Sequence, residues 1–518
     1  MFAKVLIMVI FLSVTCFIGI YCRKEAGNVG NFVLGGRRIG PWLTAFSYGT
    51  SYFSAVVFVG YAGQFGWNYG ISATWIGLGN AFIGSFLAWA VLGRRTRIMT
   101  KHYDSATMPD FFAKRYASPA MRTITSVVIF VFLIPYSASV YKGLSELFSV
   151  TFNLDFSYCV IGMALLTALY VVLGGYMATA INDLVQGIIM LVGIAAVVYA
   201  VISGKGGLMS AIAELSKEIS PLAPEISGSL VSFFGPDPLN LLSVVVLTSL
   251  GTWGLPQMVH KFYTIKNEDS IKAGTVISTV FALIVACGSY FMGGFGRLYY
   301  TPGPDGKVIF DSIVPAMLSS CLPDVLMGLV IILVLSASMS TLSSLVLTSS
   351  STLTLDFINE YKRKNKLSEK QKLIIMRILV AVFIIISAVI AIVQYSGGVS
   401  FIAQMMGISW GALAGAFLAP FLFGLYWKRT TKIACYVNFA FSTVVMILNI
   451  FIRSSFPAIL QSPINAGAFC MLAGFIIVPV ISIITRAPEK ETVSHIFSCY
   501  ERRVSVLVTD SIGKGEEE

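Results

Sequence analysis

About thirteen long apolar runs dominate this chain, and they decide the environment in which it can fold. A hydrocarbon core about 30 Å thick is crossed by a helix of ~20 apolar residues. The chain is 56% hydrophobic and only 12% charged, whereas about 25% of the residues in soluble proteins are charged. Strands of membrane β-barrels are alternating segments of ~10 residues, but these runs are continuous. We therefore predict an all-α polytopic membrane protein with about thirteen transmembrane helices.

The apolar runs form one predicted transmembrane domain at about 1–486, followed by a cytoplasmic tail at 487–518. The first run is too long for the apolar region of a signal peptide, and no small-residue cleavage site precedes Arg23, so we expect a retained span. The predicted spans are about 2–22, 41–66, 70–92, 122–149, 157–174, 181–203, 237–260, 274–296, 323–355, 374–395, 399–427, 431–453 and 464–486.

Basic residues lie mainly in every second loop of this scheme. The net charge of +11 therefore indicates sidedness in the membrane, and we expect no nucleic-acid partner. By the positive-inside rule, an odd number of spans puts the N-terminus outside and the C-terminus inside the cell membrane. The clusters that carry this argument are Arg23 and Lys24, Arg37 and Arg38, Arg94 to Arg97, Lys114 and Arg115, Lys362 to Lys366, and Lys428 and Arg429.

The second and seventh spans contain glycine among small and hydroxyl-bearing residues near the middle of the membrane. They read TAFSYGTSYFSAVVFVG and LTSLGTWGLPQMVH. Paired interruptions of this kind indicate an inverted-repeat secondary transporter, in which unwound backbone binds substrate and ion. The alternative is that the glycines only allow neighbouring helices to pack closely.

The ninth span carries an unusual density of hydroxyl groups, in LSASMSTLSSLVLTSSSTL from Leu335. Ser340, Ser343 and Ser344 share one helical face, and Ala337 and Thr341 form the adjoining row. Hard cations prefer oxygen ligands, so this face could bind Na⁺. It could also bond back to its own helix or hold helices together.

Asp183 lies one or two residues inside a membrane segment, in GGYMATAINDLVQGIIM. A buried carboxylate needs a partner, and no Lys or Arg is near in sequence, so a bound cation is the expected partner. The residue could instead cap the helix that begins near Leu184, or it could titrate and couple transport to protons.

From about Phe32 to Lys432 the sequence resembles the sodium:solute symporter family. The resemblance rests on FVLGGRRIGPWLTAFSYGTSYFSA, GGYMATAINDLVQG, GLPQMVHKFYTIKN, SASMSTLSS and GAFLAPFLFGLYWKR, in that order. It implies a leucine-transporter-type five-plus-five inverted repeat, with one extra N-terminal helix and extra C-terminal helices. The first repeat would cover about 41–203 and the second about 237–427.

The resemblance also implies two Na⁺ sites, with Na⁺ as the coupling ion. The site that the family shares falls on the carbonyls of Thr50, Phe53 and Ala337 and the hydroxyls of Ser340 and Thr341. A second site, which only some members hold, falls on Asp183, Ser340, Ser343 and Ser344.

By the same resemblance, the substrate lies beside the two broken helices and the fourth span. Aromatic walls with a few polar groups suit a small solute, although each residue could serve only in packing. The candidates are Ser51, Tyr52, Ser54, Tyr136, Tyr141, Thr248, Trp253, Pro256 and Gln257. We expect Lys142 to be neutralised by Glu146 at i+4 and not to attract a carboxylate.

We expect a Na⁺-coupled symporter, working as a monomer, that imports a small solute such as proline, another amino acid, a small carboxylate or a vitamin-like acid. Proline transporters of the family carry Asp and Trp where this chain has Tyr52 and Thr248, which argues against proline and leaves the other solutes open. The alternatives are a proton-coupled carrier that uses Asp183 and a sugar or sialic acid type symporter. We expect no enzyme, because His102, His260 and His495 are dispersed along the chain.

Overall fold

The computed structural model describes residues 2–304, 306–361, 367–395 and 402–501. The predicted basic cluster at Lys362 to Lys366 and most of the predicted tail, 502–518, lie outside the described residues. Within these ranges the fold is helical, as predicted, and its only β-type pairing is a single bridge between Ile39 and Ile265.

The helices cover the predicted spans, but one helix, Phe156–Ser203, covers two of them, and another, Phe310–Cys321, lies in a predicted loop. In the first half of the chain they are α1 (Phe2–Tyr21), α2 (Val29–Leu34), α3 (Pro41–Tyr52), α4 (Ala62–Tyr69), α5 (Thr74–Gly79), α6 (Arg94–His102), α7 (Met108–Arg115), α8 (Pro119–Phe152), α9 (Phe156–Ser203) and α10 (Leu208–Leu215). In the second half they are α11 (Pro238–Gly254), α12 (Pro256–Thr264), α13 (Asp269–Gly293), α14 (Phe310–Cys321), α15 (Asp324–Thr352), α16 (Asn359–Tyr361), α17 (Glu369–Tyr395), α18 (Ile402–Tyr426), α19 (Lys432–Phe451), α20 (Pro463–Ile484) and α21 (Lys490–Phe497). Wider π-helical turns at Val56–Tyr61, Asn80–Leu87, Trp89–Gly93 and Leu353–Ile358 extend α4, α5, α6 and α15.

In the described part of the chain, ten helices are long and apolar enough to cross a membrane, or eleven if α11 and α12 form one bent span. Two of the ten contain a glycine with positive φ at or directly beside a predicted loop, Gly70 (φ +61) before α5 and Gly175 (φ +56) within α9. An L side chain rarely adopts this backbone conformation, so glycine is the residue suited to such a break. The count of thirteen spans and the inverted repeat stay predictions.

Both predicted interruptions are confirmed. α3 ends at Phe53, whose backbone is extended (φ −104, ψ 99), and helical structure resumes at Ala55. α11 and α12 meet at Leu255 with a bend of 44°. The single β-bridge joins the segment before α3 to the segment after α12, where Lys266 N donates to Ile39 O over 3.0 Å.

α15, which carries the hydroxyl-rich stretch, lies in the interior of the bundle against α3, α8 and α9. In the most apolar eighteen-residue window of the helical segment 326–361, 94% of the residues are buried, against 22% for the window in α1. The hydroxyl groups of α15 therefore face protein and not lipid, which removes the cost of exposing them to hydrocarbon.

The histidines are less dispersed than we expected, because the rings of His102 and His495 lie 5.6 Å apart. This pair is distant in sequence, and the fold brings α6 beside the C-terminal helix α21. Among the described residues no group of three His, Cys, Asp or Glu side chains could hold a metal ion.

Candidate functional site

The hydroxyl row of α15 faces the broken end of α3. Thr341 Oγ1 lies 3.1 Å from Ala337 O on its own helix, and across the interface it lies 3.2 Å from Ser51 O and 3.5 Å from Thr50 O. Ser340 Oγ donates to Thr50 Oγ1 over 2.7 Å. The structure thus brings together Thr50, Ala337, Ser340 and Thr341, four of the five residues predicted for the shared Na⁺ site.

These oxygens suit a cation for a physical reason. The last carbonyls of a helix have no amide partner one turn ahead, and they form the negative end of the helix dipole. α3 ends here because the chain turns extended at Phe53. A Na⁺ ion would find carbonyl and hydroxyl oxygens from two helices, which is the chemistry that it prefers. That the Phe53 carbonyl is also a ligand of this Na⁺ site stays a prediction.

Asp183 lies deep inside the protein and has a partner that we did not predict. The carboxylate is fully buried on α9, and the Ser47 hydroxyl donates to it. Lys261 of α12, only 1% exposed, approaches with Nζ 3.8 Å from Asp183 Oδ2. No Lys or Arg lies near Asp183 in sequence, but the fold supplies a lysine partner from a distant segment, where we expected a bound cation.

Lys261 reaches the same hydroxyl face that we predicted for a second Na⁺. Its ammonium donates to Ser47 Oγ over 2.7 Å and to Ser344 Oγ over 2.9 Å. Ser343 Oγ instead donates to Ser340 O over 2.8 Å, a bond within its own helix. A second Na⁺ beside Asp183 would lie near this ammonium, and two unit charges about 4 Å apart repel by about 4 kcal/mol at an effective dielectric constant of 20. The residues of the predicted second site therefore do not fit a second Na⁺ well in this arrangement.

The predicted substrate residues fall into two groups. Tyr52, Thr248 and Tyr136 come together, because Tyr52 Oη donates to Thr248 O over 2.6 Å and both tyrosine rings contact Trp410. The centroid distances to the Trp410 ring are 6.1 Å for Tyr52 and 5.8 Å for Tyr136. Sequence reasoning missed Trp410, although an aromatic residue between glycines in GISWGALAG was a signal of a close contact.

Three other candidates have separate partners. Ser54 Oγ accepts from Val56 N over 3.1 Å at the break, and Ser51 Oγ lies 2.8 Å from Ser344 Oγ. Trp253 Nε1 donates to Ile83 O over 2.9 Å.

Three predicted substrate residues remain. Pro256 begins α12, and Gln257 lines a small cavity that also borders Lys261. Tyr141 is buried on α8. These three residues are not joined to the Tyr52 and Tyr136 centre by a described hydrogen bond.

Several buried polar atoms near Tyr136 make no hydrogen bond of standard geometry among the described residues, although the Tyr136 hydroxyl lies close to the side chains of Ser54 and Trp410 and the Tyr290 hydroxyl lies close to Asn80. They are the hydroxyls of Tyr61, Tyr136 and Tyr290 and the Nε1 of Trp410. Buried polar groups in folded proteins are nearly always paired, so these groups could offer hydrogen bonds to water or to a small polar solute.

Lys142 is neutralised as predicted. Its Nζ lies 3.3 Å from Glu146 Oε2 on the same helix, and both side chains are nearly buried. Ser312 of α14 also donates to Glu146, over 2.8 Å.

Comparisons with known proteins agree on the kind of molecule. The chain is 28% identical over 506 residues to the osmoregulated proline transporter OpuE of Bacillus subtilis, which covers 93% of this chain and 94% of that protein. It is also 28% identical over 458 residues to a sodium/proline symporter of Staphylococcus aureus, with 86% and 85% covered.

Solved structures show the same fold. A Na⁺-coupled sialic acid symporter in a substrate-bound, outward-open state superposes with a TM-score of 0.73 at 17% identity, covering 95% of this chain and 99% of that one. A manganese transporter of Eremococcus coleocola superposes with a TM-score of 0.51 at 12% identity, covering 88% and 95%. The family model that matches the sequence extends over residues 32–437, most of the membrane region, and the chain therefore belongs to the sodium:solute symporter family.

Proposed function

We propose that this protein is a Na⁺-coupled importer of a small organic solute, an amino acid such as proline or a small carboxylic acid. The observation that carries the proposal is the contact between Thr341 Oγ1 and the free carbonyls at the broken end of α3. This joint brings oxygen ligands from two helices to one point, inside the bundle and away from lipid. The two relatives named above are proline transporters, which supports a solute of that class.

The joint also suggests how the ion and the solute are coupled. A cation between α3 and α15 would attract oxygens of both helices and so favour the conformation in which they are close. On α3, Tyr52 of the solute centre directly follows Thr50 and Ser51, whose carbonyls lie beside Thr341, so one helix end would serve both ion and solute. Binding of one would therefore assist binding of the other, and the ion gradient would drive the solute inward by alternating access.

The solute would lie among Tyr52, Tyr136 and Trp410, where the Tyr136 hydroxyl can accept or donate a hydrogen bond. Tyr52 stands where the proline transporters carry an aspartate, so that carboxylate has no counterpart here. The Tyr52 hydroxyl donates to the Thr248 carbonyl. The solute centre therefore uses hydroxyl groups in place of a carboxylate, which favours a solute that carries an anionic group.

We place the protein in the cell membrane, with the N-terminus outside, the tail inside and a monomer as the working unit. The basic loops support this sidedness. Lys114 of α7 and Arg122 at the start of α8 pair with Asp110, and Arg37 before α3 pairs with Asp104. These contacts support placing the loops on the same side.

The test is thermal stabilisation of the purified protein by a library of amino acids, organic acids, sugars and vitamins, each in NaCl and in choline chloride. A solute that raises the melting temperature only with Na⁺ supports the proposal, because linked binding stabilises the folded state. Stabilisation that is equal in both salts would favour the proton-coupled alternative, and a pH series would then follow. A hit among sugars alone would favour the sugar or sialic acid type.

A further inference from the structure

Lys261 is a buried cation that the proposed transport cycle does not use. Its side chain enters from α12, immediately after the bend at Leu255, and ends between α3, α9 and α15. The ammonium donates to Ser47 Oγ over 2.7 Å and to Ser344 Oγ over 2.9 Å, and it lies 3.8 Å from Asp183 Oδ2. It also lies 5.3 Å from the centre of the Tyr176 ring, where the face of the ring attracts a cation.

This environment is what a small cation needs. Asp183 is fully buried, and a buried carboxylate requires an opposite charge and hydrogen bonds. Ser47 supplies a hydroxyl to the carboxylate and at the same time accepts from Lys261. The ammonium thus provides the positive charge, and the pair is neutral without any ion from solution.

The position also coincides with the second Na⁺ site that the family resemblance implies. Of its four residues, Asp183 and Ser344 contact the ammonium, while the hydroxyls of Ser340 and Ser343 donate to Thr50 Oγ1 and to Ser340 O. We propose that the Lys261 ammonium takes the place of a second Na⁺ between Asp183 and Ser344, so that the protein binds one Na⁺ and not two. This inference rests on the proposed Na⁺ coupling at the Thr50 and Thr341 joint.

A tethered cation differs from a bound ion in one functional respect. Na⁺ enters from one side of the membrane and leaves on the other, whereas Lys261 is covalently fixed to α12 and stays with the protein. It satisfies Asp183 structurally but draws nothing from the Na⁺ gradient. Lys261 thereby sets how many ions accompany each solute.

The test counts the Na⁺ ions bound per protein molecule, by equilibrium binding of radioactive sodium to the purified protein in nanodiscs, and needs no knowledge of the solute. We expect one Na⁺ in the wild type and two in Lys261→Met, where the freed Asp183 carboxylate and the Ser344 hydroxyl become available. Lys266→Met is the matched control: it removes a lysine five residues away that is exposed, and it should bind one. The double variant Asp183→Asn with Lys261→Met should return to one, because the second ion needs the carboxylate.

The outcomes separate this inference from the proposed function. Two ions in the wild type would overturn the inference and leave Na⁺ coupling intact. One ion in a folded Lys261→Met protein, or two in the double variant, would also overturn it. No saturable Na⁺ binding in the wild type would overturn the proposed function itself. The wild-type count decides between one and two even if Lys261→Met does not fold.

Discussion

Ser340 Oγ donates a hydrogen bond of 2.7 Å to Thr50 Oγ1, joining α15 to the last turn of α3. Thr50 in turn donates to Phe46 O over 2.8 Å, so the two hydroxyls form a short chain between the helices. Beside this chain, Thr341 meets the carbonyls of Thr50 and Ser51. The joint therefore has direct contacts of its own, and a cation there would replace hydroxyl contacts that already hold the helices in register.

Removing both hydroxyls of the joint tests the ion site. Ser340→Ala with Thr341→Ala is expected to raise the Na⁺ concentration for half-maximal transport or binding by at least about tenfold, since hydrogen bonds to charged groups contribute about 1.5–3 kcal/mol each. Ser338→Ala is the control on the same helix, because Ser338 Oγ donates to Val334 O within the helix over 2.7 Å. An unchanged Na⁺ dependence in the double variant would show that the site lies elsewhere.

Tyr136→Phe tests the solute centre. The Tyr136 hydroxyl is buried and makes no hydrogen bond of standard geometry among the described residues, and its ring stands edge-on to Trp410 at 5.8 Å. Loss of a hydrogen bond to the solute should weaken solute binding by about tenfold and leave Na⁺ binding in the absence of solute unchanged. The control is Tyr116→Phe, whose hydroxyl donates to Pro420 O over 2.6 Å away from this centre. Equal solute affinity in wild type and Tyr136→Phe would remove Tyr136 from the site.

The sequence predicted the helical architecture and the two broken spans, because apolar run length and mid-membrane glycines act locally. It did not predict the partner of Asp183. Lys261 lies just beyond the end of the seventh predicted span, far from Asp183 in sequence, and only the folded bundle brings the two together at 3.8 Å. A signal was nevertheless present: Lys261 follows the break in GLPQMVHKFYT, and a charged residue within or beside a membrane span is a functional candidate in its own right. Our predicted span ended at His260, which treated this lysine as a loop residue.

The hydroxyl face of α15 is a second case in which the sequence alone does not predict the contacts between helices. Helical spacing correctly places Ser340, Ser343 and Ser344 on one face, but spacing cannot tell which hydroxyls reach across an interface. Ser343 bonds back to its own helix, while Ser340 and Ser344 reach α3. That difference depends on which side chains of α3 and α12 lie opposite each serine of α15, and tertiary packing alone determines this.

The number of bound ions limits how steeply the solute can be concentrated. A tenfold Na⁺ gradient contributes about 1.4 kcal/mol and a potential of 100 mV adds about 2.3 kcal/mol per charge. One Na⁺ with a neutral solute then supports a ratio of about a few hundred, and two would support about 10⁵. Measured accumulation in proteoliposomes, once the solute is known, is expected to stop at the lower ratio.

Arg122→Ala tests the charge cluster that ties α7 and α8 to the end of α15. Arg122 pairs with Asp110, lies 3.1 Å from Glu360 and 3.8 Å from the buried Asp356. Removing one partner of a buried pair leaves a charge without compensation and typically costs about 3 kcal/mol, so the melting temperature should fall by several degrees. Arg94→Ala, which breaks an exposed pair with Glu268, should change it little. Adding Asp356→Asn to Arg122→Ala should restore part of the loss, and no restoration would argue against the charge explanation.

Gly66→Ala tests the tight packing of α4 against α13. A Cβ atom at Gly66 would lie 2.0 Å from Gly293 O and 2.1 Å from Gly293 C, and both are backbone atoms that cannot rotate away. We expect the variant to give little folded protein, measured as the monodisperse fraction in size-exclusion chromatography of a fluorescent fusion. Gly162→Ala is the matched control, since a Cβ at this position in α9 meets nothing within 4 Å. In a helix Ala is favoured over Gly by up to about 1 kcal/mol, so Gly162→Ala should be neutral or slightly stabilising. A Gly66→Ala protein as stable as wild type would mean that α4 and α13 are further apart than the structure has them.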